Sequence, residues 1–215
     1  MRENHILERV LTIEAEAENE WIAGVPRSVL FEGKYWTGFQ KVEEPEMFDL
    51  ISQNLGFKPR TEELERDETF KQVIPYFLVR REGKYFTAVR KSKGGDARAH
   101  GKRLIGFGGH LRAEDVKDRP MKDWLTREFD EEVEAERIIG ISFMGIVNDD
   151  SDSTGGIGKV HFGLVFVVDV DGKVSMKEKD KFEEGEFMSI KELKSLSHQM
   201  ESWSELICGY LEVEG

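Results

Sequence analysis

The spacing of hydrophobic residues predicts strands and helices in succession from residue 73 onward. "VIPYFLVRREGKYFTAVRKS" (73–92) contains two β-rich runs around "REGK" and predicts a hairpin. "GISFMGIV" (140–147) and "KVHFGLVFVVDV" (159–170) predict two more strands, the second apolar on both faces and therefore central. "DVDGKV" (169–174) predicts a hairpin turn, and "SWSELICGYLEV" (202–213) predicts a closing helix. This alternation indicates an α/β or mixed α+β fold.

The first 70 residues are less regular. "RVLTI" (9–13) and "SVLF…KYWTGF" (28–39) predict strands, the latter around a turn at Glu32–Gly33, and "PEMFDLISQNLGF" (45–57) predicts a helix. No linker rich in Pro, Gly or Ser separates this part from the rest. We therefore expect a single domain over 1–215, in which 1–70 is an N-terminal extension packed on a core at 73–212.

A further helix is predicted at "PMKDWLTREFDEEV" (120–133). Asp118 and the proline two residues later form a helix-start signature. One stripe of this helix is apolar and repeats every four residues: Met121, Leu125, Phe129 and Val133. The stripe is expected to pack on the sheet.

Charge and cysteine content exclude several classes of protein. The net charge of −12 argues against nucleic-acid or acidic-membrane binding, which requires a basic face, although it permits a phosphorylated small molecule. Cys208 is the single cysteine, so no internal disulfide can form, as is usual in a reducing cytosol. No apolar run approaches the roughly 18 residues of a membrane span. We expect a cytoplasmic protein.

The predicted helix at 120–133 carries three acids on one face. Glu128, Glu131 and Glu132 stand at i, i+3 and i+4. Carboxylates gathered on one face suit Mg²⁺ or Mn²⁺, and a cation would turn their repulsion into attraction. The alternative is an acidic helix face in contact with solvent.

The stretch "REFDEEVEA" (127–135) resembles the second half of the box G-x5-E-x7-R-E-U-x-E-E-x-G-U of Nudix hydrolases, and "GFGGH" (106–110) resembles its opening. Asp115 stands where the family has glutamate, and eleven residues rather than seven separate it from Arg127. Glu134 replaces the later glycine and Ala135 the final aliphatic residue, so we expect the helix to continue toward Glu136. The resemblance, to a branch with an enlarged box, extends over about 55–210.

The resemblance implies a Nudix fold, with a mixed β-sheet between α-helices, and a metal-dependent hydrolase. Water would attack phosphorus in a nucleoside diphosphate derivative, such as a nucleoside di- or triphosphate. Glu128, Glu131 and Glu132 would bind Mg²⁺ or Mn²⁺ together with the carbonyl of Gly109, and one glutamate would activate the water. Arg127 is implied to orient the box carboxylates.

Basic residues gather ahead of the glycines, in a protein of opposite overall charge. They are Arg90, Lys91, Lys93, Arg98, Lys102 and Arg103. We interpret Arg90, Arg98, Arg103 and Gly108 as candidates for binding the substrate diphosphate, with Arg90 first among them. A solvated basic loop is the alternative.

Other polar and aromatic residues leave two interpretations each. An additional metal-binding acid is sought among Asp149, Asp150, Asp152, Glu183, Glu184 and Glu186, although polar turns explain the first cluster equally well. His110 and His161 could act in catalysis or in structural hydrogen bonds. Phe107 and Trp124 could stack on a base or lie in the core, and Cys208 is expected to pack as a small hydrophobic residue.

Two other functions share this scaffold. One is a nucleotide-sensing Nudix domain without catalysis, which the departures from the box favour and the intact "REFDEE" opposes. The other is an isopentenyl-diphosphate isomerase, whose cysteine would lie well upstream of Cys208. A homodimer is possible, with 1–70 as a candidate contributor.

Overall fold

A computed structural model describes residues 20–92, 100–116, 126–151, 156–183 and 185–214. The strands are β1 (Trp21–Pro26), β2 (Thr37–Gln40), β3 (Gly56–Pro59), β4 (Phe70–Arg81), β5 (Lys84–Val89), β6 (Arg103–Leu104), β7 (Gly106–Phe107), β8 (Val133–Asp149), β9 (His161–Met176) and β10 (Glu186–Met188). The α-helices are α1 (Arg27–Phe31), α2 (Glu44–Asn54), α3 (Thr126–Glu132), α4 (Ile157–Val160), α5 (Ile190–Lys194) and α6 (Ser202–Glu214).

The strands form a mixed sheet in the order β10-β5-β4-β9-β8-β2. β4 and β9 lie side by side in parallel, from Gln72 beside His161 to Arg80 beside Asp169. The neighbouring strands of this path are otherwise antiparallel. β1 pairs with both β3 and β4, so hydrogen bonds join the described part of the N-terminal extension to the sheet.

Apolar side chains cover both faces of the sheet. On one face, Phe166 contacts Phe48 of α2, and the neighbouring Phe77 contacts Phe129 of α3. On the other face, the buried side chains come from β4, β5, β8, β9 and helices α5 and α6, with Cys208 among them. Helices therefore lie on both sides of a mixed sheet, which confirms the predicted α+β fold. None of the helices in the described ranges has both the length and the apolar character of a membrane span.

Several elements agree with the sequence prediction. β4 and β5 form a hairpin in which Arg81 faces Lys84, and the turn residues Glu82 and Gly83 both have positive φ. The turn after α1 falls at Glu32–Gly33, as expected. Helices α2 and α6 occupy the predicted segments.

Two predicted elements are wrong. The "SVLF" segment lies in α1 rather than in a strand, because the Arg27 side chain at its start is buried and bound to Asp150 and to the Glu68 and Lys159 carbonyl groups. "DVDGKV" does not turn back, because β9 continues through it to Met176. Gly172 has a φ of +76° beside a shift in the pairing of β8 and β9. A β-bulge and a tight turn both favour glycine, so the local sequence does not distinguish them.

The helix bearing the acidic face also ends earlier than predicted. α3 stops at Glu132, and β8 begins at once with Val133, opposite Met176. The expected continuation toward Glu136 is therefore wrong, because pairing with β9 overrides the local helix preference. The predicted helix start at 118–125 and the predicted strand at 9–13 lie outside the described residues.

Candidate active site

Helix α3 brings the acidic box residues to the glycine segment that follows β7. Phe129 packs edge-on against Phe77 of β4, with ring centroids 5.4 Å apart, and this contact anchors the apolar side of the helix. Gly108 donates its backbone N–H to Oε2 of Glu132 over 3.2 Å. The two halves of the sequence box are thus adjacent in space.

Arg127 is the centre of an ion-pair network at the start of α3. Its guanidinium binds both carboxylate oxygens of Asp115, at 2.5 and 2.7 Å, and donates to the His110 carbonyl at 3.2 Å. The same group lies 2.6 Å from Oε1 of Glu128 and 3.0 Å from Oε1 of Glu131. One cation therefore ties three carboxylates and one carbonyl together.

Both glycines permit close approach of neighbouring groups. A β-carbon added at Gly109 would lie 2.3 Å from Oε2 of Glu128. A β-carbon at Gly108 would lie 1.8 Å from the carbonyl oxygen of Pro75. Only glycine fits these positions without displacing the β4 backbone or the Glu128 carboxylate.

Two of the glutamates, Glu128 and Glu132, have raised pKa values because the effect of burial exceeds that of the positive charges near them. Burial raises the pKa of Glu128, which is 5% exposed, against the lowering effect of Arg127. Burial, followed by the negative charge of Glu178, raises the pKa of Glu132 to about 8, although Arg90 acts in the opposite direction. A cation bound beside these groups would stabilise their ionised forms.

The expected meeting of three glutamates at one point is not found. Across the ranges that the structure describes, no three His, Cys, Asp or Glu side chains are placed to hold one metal ion. The side chain of Glu131 is 47% exposed, and its carboxylate pairs with Arg127, which also holds Glu128. The remaining donors still fit a hard divalent cation, because the buried Glu128 carboxylate lies against Gly109 and the half-buried Glu132 carboxylate lies against Gly108.

The candidate diphosphate-binding arginines occupy different surroundings. Arg90 donates from Nε to Glu201 at 2.7 Å, lies over the Phe182 ring, and is close enough to Glu132 to lower its pKa. Arg103 binds Thr87 and Glu186, each at 3.2 Å. Arg98 and Lys93 lie outside the described residues.

The "NDDSDS" acids that the structure describes are engaged in another network. Asp150 accepts hydrogen bonds at 2.8 Å from Arg27 and from Lys71, whose side chain is 0% exposed. Although burial alone would raise the pKa of Asp150, these bonds hold it below its usual value. Asp149 accepts bonds from the Thr37 and Ser151 hydroxyl groups. This network fastens α1 to β4 and β8.

The remaining acidic, aromatic and cysteine candidates from the sequence are partly placed by the structure and partly outside the described residues. Glu186 pairs with Arg103 and Glu183 is exposed, whereas Asp152 and Glu184 lie outside the described residues. Phe107 is buried in the core beside Phe86, and Cys208 is buried as expected. Trp124 lies outside the described residues.

Glu178 is an acid near the site that the sequence did not single out. The segment after β9 docks on the end of α3, where the Lys177 N–H donates to the Glu132 carbonyl at 2.9 Å. Glu178 follows directly and raises the pKa of Glu132 through charge repulsion. In the sequence it belongs to the mixed-charge run "KEKDK", where nothing distinguishes it from its neighbours.

The two histidines form a half-buried pair beside the glycines. Nε2 of His110 lies 3.1 Å from Nε2 of His161, and Nδ1 of His161 lies 2.8 Å from the Ile157 carbonyl. Because that carbonyl can only accept, His161 carries its proton on Nδ1 and His110 donates from Nε2. Burial lowers the pKa of both histidines, that of His161 to about 4. Structural hydrogen bonding accounts for both.

Comparison with known proteins identifies the family. No protein-family model matches the sequence. Protein YmaB of Bacillus subtilis is 32% identical over 207 residues, which cover 90% of this chain and 98% of YmaB. The crystal structure of Tm1382, described as a candidate Nudix hydrolase, superposes with a TM-score of 0.72 at 28% identity, over 89% of this chain and 98% of that one. DR0079 of Deinococcus radiodurans shares the fold at 15% identity and a TM-score of 0.52, over 81% and 96% of the two chains.

The chain belongs to the Nudix hydrolase family. Its box residues, its mixed sheet between helices and its similarity to Tm1382 agree on this point. It is accordingly a Nudix-type hydrolase.

Proposed function

We propose that the protein hydrolyses the phosphoanhydride bond of a nucleoside diphosphate derivative, such as a nucleoside di- or triphosphate, with Mg²⁺ or Mn²⁺ bound at the box. The observation that carries this proposal is the placement of Glu128 against Gly109 and of Glu132 against Gly108, both with raised pKa values. Carboxylates in such surroundings favour a bound cation.

The metal ligands in this proposal are Glu128, Glu132 and the carbonyl of Gly109, joined by Glu131 from the solvent side. When bound, the cation supplies Lewis acidity, lowers the pKa of a bound water and screens the charge of the phosphate oxygens. Arg127 fixes the orientation of Glu128 through its ion pair and thereby acts as a positioning residue.

We propose Glu178 as the acid supplied from outside the box, in place of the "NDDSDS" acids. The backbone hydrogen bond between Lys177 and Glu132 holds Glu178 beside α3. A second backbone hydrogen bond, from the Lys91 N–H to the Lys181 carbonyl, joins the same segment to the residue that follows Arg90. The Glu178 carboxylate would accept the proton of the attacking water. Arg90 would bind the substrate phosphates, and Arg98, Arg103 and Gly108 are the further candidates from the sequence.

The main experiment measures metal binding and turnover separately. Mn²⁺ affinity is determined by calorimetry, and hydrolysis is followed on nucleoside di- and triphosphates, nucleotide sugars and dinucleotide polyphosphates. Glu128→Gln and Glu132→Gln should each lower both quantities at least about tenfold. Glu134→Gln removes the same charge from an exposed position two residues beyond α3 and should change neither. Unaltered Mn²⁺ affinity in both box variants would refute the ligand assignment.

The role of Glu178 has its own test. Glu178→Gln should reduce kcat with little change in KM, whereas Glu183→Gln, exposed in the same segment, should leave both unchanged. Full activity of Glu178→Gln across the pH range would show that Glu178 does not take part in the reaction. Binding of nucleotides without turnover on any substrate would overturn the proposed activity as a whole.

We also propose that the chain acts as one domain in the cytosol, without nucleic-acid or membrane partners. β1 joins the N-terminal part to the sheet, and the single cysteine is buried and unpaired.

A further inference from the structure

The guanidinium of Arg90 is held by an acid from near the end of the chain. Its Nε donates to Oε1 of Glu201 over 2.7 Å, and the two side chains are 22% and 20% exposed. Its Cζ lies 5.0 Å from the centroid of the Phe182 ring. Among the residues that the structure describes, neither Nη nitrogen of Arg90 donates a hydrogen bond. The guanidinium is therefore fixed along its Nε edge, while those residues do not engage its two terminal nitrogens.

Glu201 is itself anchored to the strands that lead into the glycine segment. It directly precedes α6, and its backbone N–H donates to the Arg103 carbonyl of β6 at 2.9 Å. In the first turn of α6, the buried Ser204 hydroxyl lies 2.9 Å from the Tyr76 hydroxyl and accepts the Ile105 N–H at 3.0 Å. These bonds fasten the start of α6 to β4 and to the residue between β6 and β7. The backbone of Glu201 consequently has little freedom to move relative to the site.

Two acids attract the charge of Arg90. Burial opposes that charge, yet the pKa of Arg90 lies above its ordinary value because Glu201 attracts it through both charge and hydrogen bond, and Glu132 attracts it less strongly. The Glu132 carboxylate accepts the Gly108 N–H and is a metal ligand in the proposed site. Without Glu201, the half-buried guanidinium would pair with Glu132, because a charge shielded from water needs a counter-charge.

We infer that Glu201 is a positioning residue for Arg90, which it holds by the Nε edge so that both Nη nitrogens are presented to a substrate phosphate instead of pairing with Glu132. This inference rests on the proposed function, in which Arg90 binds phosphate. A guanidinium carries five N–H donors in one rigid plane, so a carboxylate can fix one edge while another edge binds an oxyanion. A lysine ammonium has no separate edges and could not serve both partners in this way.

The experiment measures the affinity for imidodiphosphate, a diphosphate that resists hydrolysis, by calorimetry in the presence of Mg²⁺. Glu201→Gln keeps the shape of the side chain and removes its charge, so the affinity should fall about tenfold. Glu201→Asp keeps the charge with a shorter reach and should also bind the probe less tightly. Glu205→Gln removes the same charge from an exposed position one turn further along α6 and should bind as the wild type does. Circular dichroism and urea unfolding establish that each variant is folded.

The same substitution in an Arg90→Lys background separates positioning from other roles. Lysine offers a single ammonium for which Glu201 and the probe compete, so adding Glu201→Gln to Arg90→Lys should strengthen the binding of imidodiphosphate. If Glu201 merely fixed the start of α6, its substitution would cause equal losses of affinity in both backgrounds. If it merely neutralised charge, its substitution would raise the affinity in both. Either of these two patterns overturns the inference.

The result does not depend on hydrolysis, because the probe is bound rather than cleaved. A protein that cleaves its substrate but binds imidodiphosphate equally well with and without Glu201→Gln refutes the inference and leaves the proposed function standing. A protein that shows the expected binding pattern but cleaves no substrate refutes the proposed reaction and leaves the positioning role intact. Absence of imidodiphosphate binding by the wild type also overturns the inference.

Discussion

The Arg127 guanidinium and the Asp115 carboxylate form a bidentate pair, Nε to Oδ1 at 2.5 Å and Nη2 to Oδ2 at 2.7 Å. Asp115 also accepts the backbone N–H of Arg112 at 2.9 Å. The pair links α3 directly to the segment after the glycines, although eleven residues separate the two partners in the chain. Asp115 therefore serves to orient the helix that carries the acids.

Asp115→Asn should loosen this link. The substitution keeps the shape of the side chain but removes the charge that Arg127 faces, so we expect a loss of about 1–3 kcal/mol in the free energy of unfolding and a fall in kcat. Urea unfolding and steady-state kinetics measure the two effects. Glu62→Gln, in an ion pair of two exposed side chains with Arg66, is the control and should have no measurable effect. Equal stability of the two variants would disprove the orienting role.

Gly109→Ala should impair the site without unfolding the protein. The added methyl group would collide with the Glu128 carboxylate and displace it, so we expect metal affinity and activity to drop at least about tenfold. Gly209→Ala in α6 is the matched control, because its β-carbon meets nothing within 4 Å. That change should stabilise the helix by about 0.5–1 kcal/mol. Retention of full Mn²⁺ affinity in Gly109→Ala would show that metal binding does not need the close approach of Glu128 to Gly109.

The half-buried histidine pair should make the fold sensitive to acid. The pKa of His161 is about 4 in the folded protein, below the ordinary 6.5, so the unfolded chain binds its proton more readily. The stability due to neutral His161 is complete above pH 6.5 and is lost as the pH falls toward 4, by roughly 3 kcal/mol at most. Urea unfolding across this interval measures the slope.

His161→Gln serves as the comparison for that slope. It keeps a hydrogen-bonding side chain but cannot titrate, so its stability should depend less on pH between 6.5 and 4. His198→Gln, at an exposed position, should leave the slope as in the wild type. An identical slope in His161→Gln would mean that other groups cause the acid sensitivity.

The Arg27–Lys71–Asp150 network should be important for stability and dispensable for metal binding. Lys71→Met leaves Asp150 buried with one partner fewer, and we expect a loss of about 3–5 kcal/mol in the free energy of unfolding. Lys34→Met, which breaks an exposed ion pair with Glu32, should have little effect. Asp150→Asn should also destabilise the fold, yet Mn²⁺ affinity at the box should persist. A large loss of Mn²⁺ affinity in a folded Asp150→Asn variant would mean that Asp150 belongs to the metal site after all.

Some of these features were readable from local sequence. The hairpin of β4 and β5 follows from two β-rich runs around a glycine turn, and the double-sided apolar pattern of β9 follows from its position between two cores. The motif "REFDEE" likewise located the acidic helix. The errors fall where partners distant in sequence decide the outcome: β9 converts 133–136 from helix to strand, and a buried ion pair makes 27–31 a helix.

The sequence by itself determined the identity of the acidic helix and, through its resemblance to the Nudix box, the family and the sheet with helices on both sides, because a motif is a property of adjacent residues. Only the tertiary structure decided that Arg127 bridges Asp115, Glu128 and Glu131, that the charge of Glu178 acts on Glu132, and that Asp150 belongs to a structural network. Those relationships depend on which side chains the folded backbone brings within a few ångströms, where burial and charge act together.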